Sequence, residues 1–220
     1  MANPLDILVL AGGPDRERPV SLKSGAQVAA ALRAAGHRVT EADAGPTDLS
    51  AAQQFKRNFR GGVVFPAMHG AWGEGGPLQA ELGRMGVKFV GCQPAAAALC
   101  MDKLATKDAL AAAGVPTMEY ERVGREALPT LRPPVVLKAA REGSSFGLHI
   151  CRTEEEVRRA HDALTREYDA VLAERFVDGP EVTIGVLALD PSAPPVALPL
   201  IRIVPATEYY DYEAKYDRDD

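Results

Sequence analysis

The chain has 220 residues, enough for one large domain or two small ones with a real core. Its 46% hydrophobic and 25% charged residues are those of a soluble globular protein, and no apolar run nears the roughly 20 residues that span a bilayer, so neither a membrane protein nor a membrane partner is expected. A net charge of -5 disfavours nucleic acid, whose phosphates need basic faces. Three cysteines (Cys92, Cys100, Cys151) without a C-x-x-C pair offer no disulfide framework, and four histidines (His37, His69, His149, His161) without ligand spacing offer no transition-metal site.

The first apolar run, Leu5 to Leu10, is interrupted by Asp6 and follows no basic segment. It reads as a first β-strand rather than a signal peptide, and a cytoplasmic protein is expected. Further strands are expected at His37 to Thr40, Val63 to Pro66 and Lys88 to Val90. A helix from Ser21 to Ala35 would bury Val28, Ala31, Leu32 and Ala35 and close at Gly36. Strands alternating with helices imply a parallel sheet covered on both faces, with ligands at the strands' carboxyl ends. Gly12-Gly13 and His69-Gly70 both follow such strands.

The style changes after Gly91, and a domain boundary is expected near residue 100. Asp102 should cap a helix to Ala113 that stops at Gly114-Val115-Pro116. Val135 to Ala139 and Leu148 to Cys151 read as a hairpin with a long polar tip, residues 141–147. Thr153 and Glu156 form a capping box for a helix that buries Val157, Ala160 and Leu164. Two more strands are expected at Val171 to Val177 and Glu181 to Leu189, joined through Asp178-Gly179-Pro180.

In the tip Glu142-Gly143-Ser144-Ser145-Phe146-Gly147, small residues let backbone N–H groups and two hydroxyls approach an anion, so it reads either as a phosphate loop or as a plain solvated turn. Lys138 shares a strand face with Val136 and leads directly into this loop. It either snorkels or meets a phosphate there.

These residues fall into a known order. Gly12-Gly13 precedes Arg16-Glu17-Arg18 and Val20-Ser21-Leu22-x-Ser24-Gly25; then come His69-Gly70-x-x-Gly73-Glu74, Met101-Asp102-Lys103 with Lys107, and Lys138 with residues 142–147. Glu174 to Glu181 and Tyr210-Asp211-Tyr212-Glu213-Ala214-Lys215-Tyr216 complete the series. Over nearly its whole length the chain resembles the D-alanine:D-alanine ligases, ATP-grasp enzymes of peptidoglycan synthesis.

The resemblance implies an α/β fold. A parallel-sheet, Rossmann-like pre-ATP-grasp domain (1–100) would be followed by a small ATP-grasp lobe (101–182) and the start of the large lobe with its mobile loop (183–220), incomplete at the C-terminal lobe. It implies ATP as cofactor, D-alanine as small-molecule substrate and magnesium or manganese as the metal, and it allows a homodimer. Carried over by position, Lys103 and Lys138 would contact the ATP phosphates beneath a loop holding Ser144 and Ser145. Glu174 and the backbone near Val177 would hold adenine, and Glu181 the ribose. Glu17 would receive the first D-alanine's ammonium group, linked to Ser144 and Tyr216, with His69 near its carboxylate and Lys215 at the γ-phosphate.

Without the resemblance, Glu17 reads as a surface ion pair between Arg16 and Arg18, Glu174 and Glu181 as exposed strand carboxylates, and His69 as structural. The family's metal ligands, an Asp, a Glu and an Asn, would lie beyond Asp220, so none is expected in this chain and its own activity is in doubt. Pro19, Ala139 and Gly75 depart from the family's usual residues. D-lactate or D-serine as second substrate is an alternative that Tyr216 argues against; a non-catalytic nucleotide-binding or interaction module is the other.

Overall fold

Alternation along the first strand decides the first layer. In the computed structural model, which describes residues 3–189 and 192–204, strand β1 (Asp6–Gly12) turns Ile7 and Val9 to one side and Leu8 and Leu10 to the other. Neither face is polar, so both need a cover. Helix α1 (Arg18–Ala34) covers Ile7 and Val9 with Val28, Ala29 and Leu32. Helices α2 (Ser50–Asn58) and α4 (Pro77–Arg84) cover Leu8 and Leu10 through Ala52, Phe55, Leu78 and Leu82. With β2 (Arg38–Ala44), β3 (Val63–Pro66) and β4 (Lys88–Phe89) the sheet has the order β2-β1-β3-β4, all parallel. The short helix α3 (Gly70–Glu74) follows β3 directly.

Helix α1 corrects one expectation. It starts at Arg18 rather than Ser21, because Pro19 sits in the first turn, where its missing N–H is not needed. The buried positions are Ser21, Gly25 and Ala29, with Val28 and Leu32 partly covered, while Ala31 and Ala35 are exposed. Small residues line this face because the helix lies close on the sheet: a Cβ on Gly25 would stand 2.6 Å from the Ala11 Cβ.

The alanine run forms helix α5 (Pro94–Met101), and α6 (Lys103–Ala112) follows at once. Asp102 caps α6 by accepting from Leu104 N at 3.0 Å and Ala105 N at 3.2 Å. A second sheet, antiparallel in the order β5-β8-β6-β7, combines β5 (Tyr120–Val123), β6 (Val135–Ala139), β7 (Leu148–Cys151) and β8 (Val171–Arg175). Helix α7 (Glu154–Glu167), held by the Thr153/Glu156 capping box, packs Val157, Ala160 and Leu164 against Val135, Leu137, Val171 and Ala173. The opposite face of this sheet carries Lys138, Leu172 and Glu174 toward α6.

Strand β8 ends at Arg175, two residues short of the expected Val177. The next expected strand divides into β9 (Glu181–Thr183) and β10 (Val186–Leu187), which pair with β12 (Ile201–Ile203) and β11 (Val196–Ala197) as two-stranded ribbons. Helix α2 and the edge strand β5, both rich in polar residues, have no clear signal in the sequence.

Two glycine substitutions test this packing. Gly25→Ala should destabilise by about 1–3 kcal/mol, because the overlap with Ala11 outweighs the gain in helix propensity. Gly83→Ala, on the exposed side of α4, should stabilise by about 0.5–1 kcal/mol, since a Cβ there meets nothing within 4 Å. Urea unfolding of both variants measures the difference, and equal effects would contradict the close α1–β1 approach.

Candidate active site

The site is built where the two halves meet. Gly12 and Gly13 leave β1 with φ of 93° and 90°, a region that favours glycine. Gly12 N donates to Ser21 Oγ at 2.8 Å, and that hydroxyl donates to Ala67 O at 2.8 Å, so one buried serine ties the glycine turn to the strand leading into His69. Asp15 accepts from Trp72 N at 3.0 Å and fills the space beside Gly70, whose φ is 84°. These contacts fix the His69 loop against the Glu17 turn.

Glu17 is 4% exposed, so its reading as a surface ion pair does not hold. Its carboxylate faces the serine loop, with Oε1 at 3.3 Å from the position of a Cβ on Gly143. His69 Nδ1 lies 3.1 Å from Glu74 Oε1 and Nε2 lies 3.3 Å from Ser24 Oγ. The hydrogen bond to Glu74 raises the His69 pKa above the ordinary imidazole value against the opposing effect of burial. A cleft of about 670 Å³ includes Ser24, His69, Glu74, Lys103, Glu142 and Gly143 in its lining.

The serine loop bridges the halves. Ser144 and Ser145 have φ of 48° and 63°, left-handed values uncommon for residues with side chains, and Gly147 follows at 60°. Phe146 N donates to Gly143 O at 2.9 Å, which closes the loop as a turn. The loop leans on the first half through Phe146, whose ring lies 5.6 Å from the Arg16 guanidinium. Burial raises the Glu142 carboxyl above its usual pKa; Arg16 opposes this, and Glu17 and Asp15 add to it.

Beneath the loop, Val136 pairs with Glu174 across β6 and β8, so Lys138 is the diagonal neighbour of Glu174 on the same face. Lys138 is ion-paired with Glu174 Oε1, and Lys107 approaches Oε2 at 2.8 Å. Glu174 is 4% exposed, so the exposed-carboxylate reading is also corrected. Burial alone would raise its pKa, but the two lysines outweigh it and hold the carboxyl below the usual value. Lys103 donates to the Glu142 carbonyl, and its own N–H donates to Ala140 O at 2.9 Å, which locks the start of α6 to the loop. Burial lowers the Lys103 pKa, and the nearby Lys138 charge lowers it further. A dianion between these two ammonium groups relieves that repulsion.

Lys103, Lys138 and Glu174 are thus gathered on one side of the loop that holds Ser144 and Ser145, and Glu17 with His69 on the other. Val177 and Glu181 lie farther along the chain and are exposed. Lys215 and Tyr216 lie outside the described residues. Lys107 was not assigned a role from the sequence, yet it is 7% exposed and contacts Glu174. Its spacing of three from buried Leu104 on α6 was the available signal.

Two lysines and a serine loop on an antiparallel sheet, joined to a parallel sheet with helices on both faces, define an α/β protein of two sheet-bearing halves. The family model described as D-ala D-ala ligase C-terminus matches residues 110–220. Two relatives, both named D-alanine--D-alanine ligase, come from Moorella thermoacetica (38% identical, 96% of this chain and 70% of the relative) and Desulforudis audaxviator (40% identical, 94% and 68%). The solved D-alanine-D-alanine ligase from Coxiella burnetii has the same fold, with a TM-score of 0.77 at 24% identity, over 91% of this chain and 71% of that one. The chain belongs to the D-alanine:D-alanine ligase family.

The raised His69 pKa gives a signed expectation. Its pairing with Glu74 contributes stability that is fully present below the unfolded imidazole pKa, about 6.5, and is lost as pH rises through the higher folded value. Glu74→Gln should move the His69 titration, followed by NMR, downward and flatten this dependence. An unmoved titration would dissociate His69 from Glu74.

Proposed function

We propose that this member of the family uses ATP to join two D-alanines into D-alanyl-D-alanine, through an acyl phosphate on the first, for the cell wall precursor. The observation that carries the reading is the convergence of Lys103, Lys138 and the positive-φ serine loop above buried Glu174. Phosphoryl transfer depends mainly on positioning and on charge around the transferring group, which these residues supply. Lys103, Lys138 and the Ser144–Ser145 loop would hold the phosphates. Glu174 and the backbone near Val177 would hold adenine, Glu181 the ribose, and Glu17 with His69 the first D-alanine. Lys215 and Tyr216 complete the proposed set.

In this reading 1–100 is the substrate-side domain, 101–182 the small nucleotide-binding lobe and 183–220 the start of the large lobe. Buried Glu17 suits an ammonium group, which would compensate its charge. Magnesium is proposed as the metal, as oxygen-rich phosphates favour a hard cation. Among the described residues no group of three or more His, Cys, Asp or Glu is placed to hold a metal. No helix among the described residues is long and apolar enough to cross a membrane. The proposed setting is the cytoplasm, where ATP is available, and a homodimer is compatible with the reading.

Calorimetric titration with MgATP is the direct test. Lys138→Ala should weaken binding by about tenfold or more, since one charge-assisted phosphate contact contributes on the order of 1.5–3 kcal/mol, and Lys138→Arg should recover part of it. Unchanged affinity in Lys138→Ala would move the phosphate site elsewhere. For the substrate, saturation-transfer NMR on the nucleotide-loaded protein should detect D-alanine in preference to L-alanine, and Glu17→Gln should abolish the signal. A signal insensitive to Glu17→Gln would overturn the assignment of the ammonium site.

A further inference from the structure

A second cavity lies at the opposite end of the parallel sheet. The His69 cleft takes residues that follow β3 and β4, whereas this cavity, of about 560 Å³, is bordered by the end of α2, the turn ahead of β3 and the start of β4. The two share no lining residue, and the four residues of β3 set them apart by about 13 Å of strand.

The walls of this cavity are tied to one another. Lys56 Nζ donates to the Met85 carbonyl, which joins the end of α2 to the turn ahead of β4. Gly62 N donates to Phe59 O at 2.9 Å and closes the turn ahead of β3. Phe55 is 5% exposed, and its ring lies 2.6 Å from the position of a Cβ on Gly62, so it belongs to the core. Phe59 stands against it with ring centres 5.0 Å apart but is 37% exposed, and it brings aromatic surface to the cavity.

Four cations, Lys56, Arg57, Arg60 and Lys88, line the same space, and no acid lines it. The dipole of α2 accounts for Lys56 and Arg57 in its last turn. It does not account for Arg60 and Lys88, which come from a turn and a strand. Nor are these charges compensated as the others are. Arg16, Arg18, Arg33, Arg38 and Arg84, the remaining arginines of the first hundred residues, each pair with a carboxylate. Among the described residues Arg57, Arg60 and Lys88 enter no such pair. In a chain of net charge -5, like charges around one hollow concentrate positive potential there and attract an anion.

We propose that this cavity is a second ligand site, separate from the His69 cleft, that takes a nucleoside diphosphate with its base against Phe59 and its phosphates among Arg57, Arg60 and Lys88. Guanidinium groups meet phosphate oxygens through paired N–H donors, and three cations match the charge of a diphosphate. Stacking on an aromatic ring tolerates every base, so the site specifies a class of ligand rather than one base. The volume falls in the range of small-molecule sites, about 300–1,000 Å³. The inference is independent of the nucleotide reading of the cleft.

Backbone amide NMR of the 220-residue protein, titrated without magnesium with ADP and with pyrophosphate, tests the site residue by residue. ADP should shift the amides of Phe59 to Gly62 and Gly86 to Lys88 saturably and bind there about tenfold more tightly than pyrophosphate. Phe59→Ala should lower ADP to the level of pyrophosphate and leave pyrophosphate unchanged. Arg57→Glu combined with Arg60→Glu should abolish both at this cavity, with the response of the cleft amides of Glu142 and Gly143 as in the parent. Arg60→Glu alone carries the test if the double variant does not fold.

Equal affinity for ADP and pyrophosphate would mark an adventitious ion only and overturn the proposal. So would a Phe59→Ala protein that keeps the ADP preference, a charge-reversed protein that still binds here, or amides that respond to an oligonucleotide but not to ADP. Saturable shifts at this cavity with none at the cleft would support the second site and count against the reading of the cleft alone.

Discussion

A buried carboxylate held between two lysines is the constraint around which the second half is arranged. Glu174 lies on β8 with its side chain turned away from the apolar packing of α7 and toward α6. A lone charge in that position would be strongly disfavoured, and removing one partner of such a pair typically costs about 3–5 kcal/mol. That requirement places Lys138 on the neighbouring strand and Lys107 on the helix above. The start of α6 is fixed by other contacts: Asp102 caps it, Arg141 reaches Asp102 at 2.8 Å, and Lys103 N donates to Ala140 O. Structural charge compensation and proposed ligand recognition use the same atoms.

The serine loop connects this arrangement to the first half. Its backbone takes left-handed values at Ser144 and Ser145, an arrangement that persists where surrounding contacts over-determine it. Those contacts come from both sides, with Phe146 beneath Arg16 and Gly143 against buried Glu17 on one, and Lys103 at the Glu142 carbonyl on the other. Arg16 also pairs with Glu167 at 2.9 Å across the same junction. The cleft therefore borders elements of both halves, and the proposed phosphate and D-alanine positions adjoin each other. Proximity of that kind is what joining a carboxylate to a phosphoryl group demands.

Much of the fold was legible locally. Mostly apolar runs of four or five residues next to glycine or proline gave β3, β6 and β7 with their observed limits, and the Thr153/Glu156 box marked the start of α7. Local signals failed where neighbours decide. The buried face of α1 is set by close approach to Ala11, which favours Ser21, Gly25 and Ala29 over the larger apolar stripe. The run from Glu181 to Leu189 looks continuous but divides at Ile184-Gly185, because β9 and β10 pair with different partners, β12 and β11.

The site divides in the same way. The order of its motifs, the small-residue composition of residues 142–147 and the family they resemble were determined by the sequence, since residue type and spacing carry that information directly. Burial of Glu17 and Glu174, the pairing of Lys138 with Glu174 and the part taken by Lys107 were decided only by tertiary structure. Lys107 and Glu174 are separated along the chain by three strands, β5, β6 and β7, the serine loop and helix α7, and each alone reads as a solvated charge. Only the packing of α6 on the β5-β8-β6-β7 sheet removes water from between them and turns two ordinary charges into one interdependent group.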